Sequence, residues 1–151
     1  MRRLLIISHS QSGRTAALTA AVREGAATEI ELEVISKRAF DTGLEDLLNC
    51  QGVLIGTPEN FGYMSGAVKD FFDRTYYPAE GKTIGLPYAL FISAGNDGTG
   101  AVRQIDRIAI GYGWRKIAEP LIIRGDPAPA DLDRCRELGA AFAAGLVLGI
   151  F

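Results

Sequence analysis

A single histidine and two cysteines stand in this chain of 151 residues, and that scarcity removes whole classes of chemistry. A metal centre needs clustered ligands, whereas Cys50 and Cys135 are isolated thiols with no metal-type spacing. They are expected to be reduced and at least partly buried. Neither sign of charge dominates. Lys plus Arg total 16 against 18 Asp plus Glu, a formal −2, which leaves no basic excess for a nucleic-acid partner to select. Long hydrophobic runs are also missing. Arg2 and Arg3 are followed by just four apolar residues, too few for a signal-peptide core or a membrane span, so a cytoplasmic protein with no membrane partner is expected. There is no low-complexity tract and no internal repeat. What remains is 48% hydrophobic and 23% charged, a globular composition at the length of one domain covering residues 1–151.

The most informative stretch lies near the start. The apolar run ending at Ile7 and Ser8 leads into Ser10, Gln11, Ser12, Gly13, Arg14 and Thr15, and an alanine-rich helical segment follows. A buried strand that delivers a loop to a helix N-terminus leaves the first helical N–H groups unpaired and facing whatever sits there, which is an anion site. Hydroxyls at alternate positions add donors, and Gly13 brings backbone close without a Cβ. The glycine patterns of a triphosphate-binding P-loop and of a dinucleotide fold are both absent, and no lysine is supplied. The loop therefore suits one terminal phosphate held by neutral donors and a helix dipole. An ordinary strand-to-helix turn with Ser12 as helix cap is the competing reading.

Apolar runs alternate with amphipathic segments, the pattern of an α/β parallel sheet with helices on both faces. Strands are expected at Leu4–Ser8, Leu32–Ile35, Val53–Gly56 and Leu90–Ser93. A fifth, from about Trp114 to Ile123, contains Pro120 and so reads as an edge strand. Met64, Ala67, Val68, Phe71, Phe72 and Thr75 follow helical spacing and predict a stripe against the sheet, which makes those phenylalanines core. Leu132, Cys135, Leu138, Gly139, Phe142 and Leu146 repeat the theme in a last helix. The uncharged end, Gly145 to Phe151, either completes the core or is covered by a second subunit.

Ligands of open parallel sheets bind beyond the carboxyl ends of the strands. Two further loops arrive there, Gly56 to Gly66 and Ser93 to Gly100, both rich in glycine and small polar residues. Such loops let main-chain groups line a flat heterocycle directly, with Phe61 and Tyr63 placed to stack on it or cover it.

With these residues in view, Ser10-x-Ser12-Gly13-x-Thr15 resembles the flavodoxin phosphate loop. The stretch Gly56-Thr57-Pro58 through Phe61-Gly62-Tyr63-Met64-Ser65-Gly66, then Val68-Lys69 and Phe72-Asp73-Arg74, resembles the second flavin loop of the NAD(P)H-dependent FMN reductases and quinone reductases. The resemblance implies a flavodoxin-like, doubly wound five-stranded parallel sheet of order 2-1-3-4-5. It implies that Ser10, Gln11, Ser12, Gly13, Arg14 and Thr15 hold the FMN phosphate. It further implies that Pro58, Glu59, Asn60, Phe61 and Gly62 border the isoalloxazine ring, and that Ser93, Ala94, Gly95, Asn96, Asp97 and Gly98 meet its pyrimidine edge. No catalytic acid is needed, since the redox chemistry belongs to the cofactor and the protein positions it. His9 is expected to pack or to hydrogen-bond at the strand end. Arg103 and Arg107 are placed either to attract a pyridine-nucleotide phosphate or to form a solvated face.

The fold serves two-electron reductases and one-electron carriers alike. A carrier benefits from dense acidic surroundings for its flavin, and Glu59 and Asp97 are the only acids in the two ring loops. That charge pattern favours an NAD(P)H-dependent reductase of quinones or free flavin, with a small-molecule acceptor and a homodimer or higher homo-oligomer. A flavodoxin-type electron carrier is the alternative, and a non-enzymatic FMN-binding partner is a third.

Overall fold

Residues 1–151 are described by a computed structural model. In chain order the elements are β1 (Arg2–Ser8), α1 (Arg14–Ala26), β2 (Leu32–Arg38), a 3-10 turn (Ala39–Asp41), α2 (Leu44–Leu48), β3 (Gly52–Pro58), α3 (Gly66–Ala79), β4 (Pro87–Ala94), α4 (Thr99–Tyr112), β5 (Arg115–Lys116), β6 (Leu121–Arg124) and α5 (Pro129–Leu148). The sheet is parallel throughout and runs β2-β1-β3-β4-β5, with β6 also paired to β4. This is the expected flavodoxin-like order.

Strand pleating distributes the core over two faces. Leu5, Ile7, Val53, Ile55, Leu90 and Ile92 point to one side, where α3 and α4 cover them. Leu4, Ile6, Leu54, Ala89 and Phe91 point to the other, under α1 and α5. The side-chain period of two makes each run a double-sided core strand. The α3 stripe behaves as its spacing predicts. Met64, Ala67, Val68, Phe71, Phe72 and Thr75 are all buried, and Ser65 caps the helix by accepting from the Val68 amide. Both cysteines are free and buried.

The fifth strand differs from expectation. It is divided into β5 and β6, each paired with β4, and Pro120 falls in the break. The Ile117 amide still donates to the Tyr88 carbonyl at 3.1 Å. Beyond it the chain leaves the ladder, because proline has no N–H to continue it, and rejoins at Leu121. The second strand extends to Arg38, past the expected Ile35, and α2 with its preceding turn had no clear periodic signal. At the carboxyl end Leu146 is buried and Phe151 packs on Phe142, while Leu148 and Ile150 are about 70% exposed. No helix is long and apolar enough to cross a membrane.

Candidate functional site

The chain turns to one side of β1 for β2 and to the other for β3 and β4, so the crevice at the β1/β3 switch is where three loops meet. The first begins as the His9 amide donates to the Gly56 carbonyl at 3.2 Å. The Ser10 hydroxyl then accepts from the Gly13 amide at 3.2 Å and the Ala16 amide at 3.1 Å. Gly13 sits at the N-cap with φ of 96°, a left-handed conformation that glycine takes without strain. The amides of Gln11, Ser12, Arg14 and Thr15 donate to no backbone carbonyl. Four unpaired donors in the loop and first turn of the helix are of the kind that suits an anion. The hydroxyls, however, do not all converge. Ser10, not the Ser12 of the competing reading, does the capping, because it reaches over Gly13 into the first helical turn. Ser12 is exposed and Thr15 is buried in that turn. Arg14 is turned aside into an exposed pair with Asp126 at 2.9 Å.

The second loop is tied to the first by the Asn60 side-chain amide, which donates to the Gln11 side-chain oxygen at 2.8 Å. Asn60 and Tyr63 form an antiparallel bridge, with amide-to-carbonyl distances of 2.9 and 3.0 Å. The tip residues Phe61 and Gly62 have φ of 52° and 73°. Two successive positive φ values are the signature of a tight primed turn, where a bulky residue is uncommon. Phe61 is nonetheless held there and is fully exposed.

The third loop is locked to the second through Glu59. Its carboxylate accepts from the amides of Gly98 and Gly100, both at 3.1 Å, and of Ala101 at 3.3 Å. It therefore satisfies the orphan donors of α4 and lies in the positive field of that helix's N-terminus. A Cβ at Gly100 would land on the Gly62 carbonyl, so the two loops touch backbone to backbone. Asp97 accepts from the Thr99 hydroxyl at 2.7 Å and the Thr99 amide at 2.8 Å. The hydroxyl bond, then the amide bond, holds its carboxyl below the usual range. The amides of Gly95, Asn96 and Asp97 donate to no backbone carbonyl. Ser93 and Ala94 are buried at the end of β4, and Pro58 is half-buried at the end of β3.

Arg124 is a residue that sequence reasoning passed over. Its guanidinium donates to the Asn96 carbonyl at 3.0 Å and the Asp97 carbonyl at 3.1 Å, bracing the third loop from β6. Asp126, the partner of Arg14, follows two residues later. The available signal was an Arg-Gly-Asp step at the carboxyl end of a strand, the end where sites form. His9 packs edge-on to Phe40, with ring centroids 6.0 Å apart. Its buried Nδ1 has no hydrogen-bond partner. Arg103 lines a polar recess with Glu59, Gly62 and Asn96. Arg107, one turn on, lines a groove between α3 and α4 instead.

A switch-point crevice bordered by a loop of unpaired amides and two glycine-rich loops limits the possible families, and comparison with known proteins selects one. Residues 1–115 match the family of NADPH-dependent FMN reductases. The chain belongs to that family. It is 25% identical over 171 residues to an NAD(P)H dehydrogenase (quinone) of Syntrophus aciditrophicus, an alignment covering 95% of this chain and 84% of the relative. It is 26% identical over 159 residues to a flavodoxin of Aquifex aeolicus, covering 95% and 86%. Among solved structures, an archaeal flavodoxin superposes with a TM-score of 0.85 at 23% identity, covering 95% of this chain and 98% of that one. That last likeness establishes the fold. Family membership makes this chain an oxidoreductase with FMN as cofactor and NAD(P)H as co-substrate. The donor set agrees with that cofactor: unpaired amides at the first loop suit a phosphate, and unpaired amides at the third suit a ring edge rich in acceptors.

Proposed function

We propose that this chain is a two-electron reductase that takes a hydride from NAD(P)H and delivers the electron pair to a quinone or to free flavin. Bound FMN would supply the redox chemistry, and the protein's part is to hold the ring, choose its electrostatic surroundings and leave one face open. Residues 1–151 act as one FMN-binding unit. Ser10, Gln11, Ser12, Gly13, Arg14 and Thr15 enclose the phosphate. Pro58, Glu59, Asn60, Phe61 and Gly62 border the isoalloxazine, and Ser93 to Gly98 meet its pyrimidine edge. The exposed Phe61 gives the strained turn a purpose, since a flat ring docked beside it would cover the aromatic face that water now meets.

The observation that carries the reductase reading is the fate of the two acids in the ring loops. Glu59 and Asp97 both cap α4. Their charge is therefore directed into a helix N-terminus, while the unpaired amides of Gly95 to Asp97 supply donors. Negative charge developing on the ring during hydride transfer would meet donors and not an acidic cluster. A low-potential carrier is served by the reverse arrangement.

We also place the protein in the cytoplasm, which agrees with two free buried thiols, and we propose a homodimer. Exposed Ile150 lines an apolar hollow of about 270 Å³ together with Ile117, Leu138, Phe142 and Phe151, and Leu148 is exposed on the same segment. A second subunit there would cover that surface. Replacing Ile150 by Asp should convert a dimer mass in light scattering to a monomer mass, and a wild-type monomer at all concentrations refutes the dimer. Stopped-flow mixing of FMN-loaded protein with NADPH and NADH tests the reductase. Rapid loss of the oxidised flavin absorbance, restored by quinone, is expected. No bleaching by either nucleotide leaves the carrier reading in its place.

A further inference from the structure

A sizeable cavity lies beside the candidate FMN crevice. Helices α3 and α4 lie on the same face of the sheet but leave between them a groove of about 540 Å³, a volume in the range of small-molecule sites. Its mouth is Tyr63, at the base of the Phe61 turn. Its walls include Lys69, Tyr76 and Tyr77 from α3, and Gln104 and Arg107 from α4.

The composition of this groove is specific. Tyr76 is one wall: its ring stands edge-on to Tyr112 at 5.0 Å and 87°, and its hydroxyl donates to the Gly111 carbonyl at 3.4 Å. Tyr77 is 79% exposed at the lip and offers a free aromatic face. The one acid of the lining, Asp73, is neutralised by Lys69 at 2.6 Å. Arg107 makes no salt bridge and is the unspent cation of the groove. Arg103, which also makes no salt bridge, lies one helical turn nearer the crevice, about 6 Å along the axis at 1.5 Å per residue. It lines the polar recess beside the ring loops. Two free guanidiniums thus lead from the crevice into an aromatic-walled groove.

The geometry points to the α3–α4 groove as the binding site for the adenosine diphosphate half of the pyridine nucleotide. The adenine stacks against Tyr77 beside the Tyr76 wall, Gln104 pairs with its polar edge, and Arg103 and Arg107 take the phosphates. The nicotinamide end then emerges past Tyr63 at the open face of the ring loops. The assignment rests on the reductase reading, because only a hydride donor brings this nucleotide to the site.

Calorimetry of ADP with FMN-loaded protein tests the groove without turnover, since the phosphate loop is already filled. Wild-type protein is expected to bind ADP. Arg107→Gln should weaken binding about tenfold, the loss of one charge-assisted contact, and Tyr77→Ala several-fold. Both side chains are exposed, so the fold is retained, and neither belongs to the FMN loops. In turnover, KM for the dinucleotide should rise by matching factors at unchanged kcat, while reduced nicotinamide mononucleotide, which lacks the adenylate, should serve wild type and variants equally. No ADP binding by wild type, or equal affinity in both variants, overturns the groove assignment even if NAD(P)H bleaches the flavin. ADP binding that the variants lose, with no bleaching by any reduced nicotinamide, keeps the groove as an adenylate site and removes the reductase.

Discussion

The two faces of the sheet are built to different tolerances. On one, α1 and α5 approach until backbone meets backbone, and a Cβ at Gly139 would fall on the Val22 carbonyl. On the other, α3 and α4 stand apart around a groove of about 540 Å³, and at Gly111 the nearest group an added Cβ would meet is the Tyr76 side chain, 3.1 Å away. Both faces have well-buried cores against the strands. The difference lies one layer further out, between the helices. One pair is closed, while the other keeps space next to the candidate cofactor loops.

Placing the same substitution on each face exposes the contrast. Gly139→Ala should lose about 3 kcal/mol of unfolding free energy, at the upper end of ordinary overpacking costs, because neither helix backbone can yield locally. Gly111→Ala should be neutral or gain about 0.5 kcal/mol from helix propensity, since the Tyr76 ring can shift by tenths of an ångström. Urea titrations of the two variants decide it. Similar losses in both would mean that the α3–α4 face is as rigid as its counterpart.

The next effect in size sharpens the contrast at the loops. Glu59→Ala leaves three α4 donors without their carboxylate and should cost about 2 kcal/mol, the range for hydrogen bonds to a charged group. It should also weaken FMN binding, because the second and third loops lose their lock. Glu59→Gln keeps one acceptor oxygen and should fall between. Unchanged FMN affinity in both variants would mean that the loops hold their positions without Glu59.

A smaller loss is expected at Ser10→Ala, about 1 kcal/mol by analogy with helix caps. Its signature is selective. The uncapped loop should lose affinity for FMN but not for riboflavin, which has no phosphate to place there. Equal weakening of both ligands would show that Ser10 shapes the crevice as a whole and not the anion face.

These contrasts also explain what the sequence could show. The strands and the α3 stripe were legible because pleat and helix periods depend on consecutive residues, and Phe71 and Phe72 had only one way to be buried, whereas the order of the strands came from the family resemblance. The three candidate loops could be picked out because glycine and hydroxyl runs followed apolar strands. Their internal wiring could not. Ser10 in place of Ser12 as the cap depends on the left-handed turn at Gly13, and the use of Glu59 on α4 joins elements some forty residues apart. The division of the edge strand had a visible cause in Pro120, but the rejoining at Leu121 required the β4 register. The groove left no sequence signal, since the separation of two helices is set by what packs beneath them.

An effect confined to alkaline pH compares the faces through their thiols. Cys50 belongs to the core under α3 and α4, and Cys135 to the core under α1 and α5. Burial pushes the first from 9.0 to about 12 and the second from 9.0 to about 11. In both the folded chain retains its proton after the unfolded chain has released it. The stability this represents is intact below pH 9 and is lost as pH rises through the folded values. At pH 10 the unfolded thiol is mostly ionised while the folded one is mostly not, and each cysteine should account for about 1 kcal/mol of destabilisation, since a tenfold change in proton concentration is worth about 1.4 kcal/mol. Replacing each cysteine by alanine and following urea unfolding between pH 8 and 10 separates them, because the variant loses that part of the alkaline slope. Neither thiol should react with a disulfide reagent at pH 8 until the protein unfolds. Rapid labelling of Cys50 with Cys135 protected would show that the face holding the groove opens on its own, and the two layers would then differ in local stability as well as in packing.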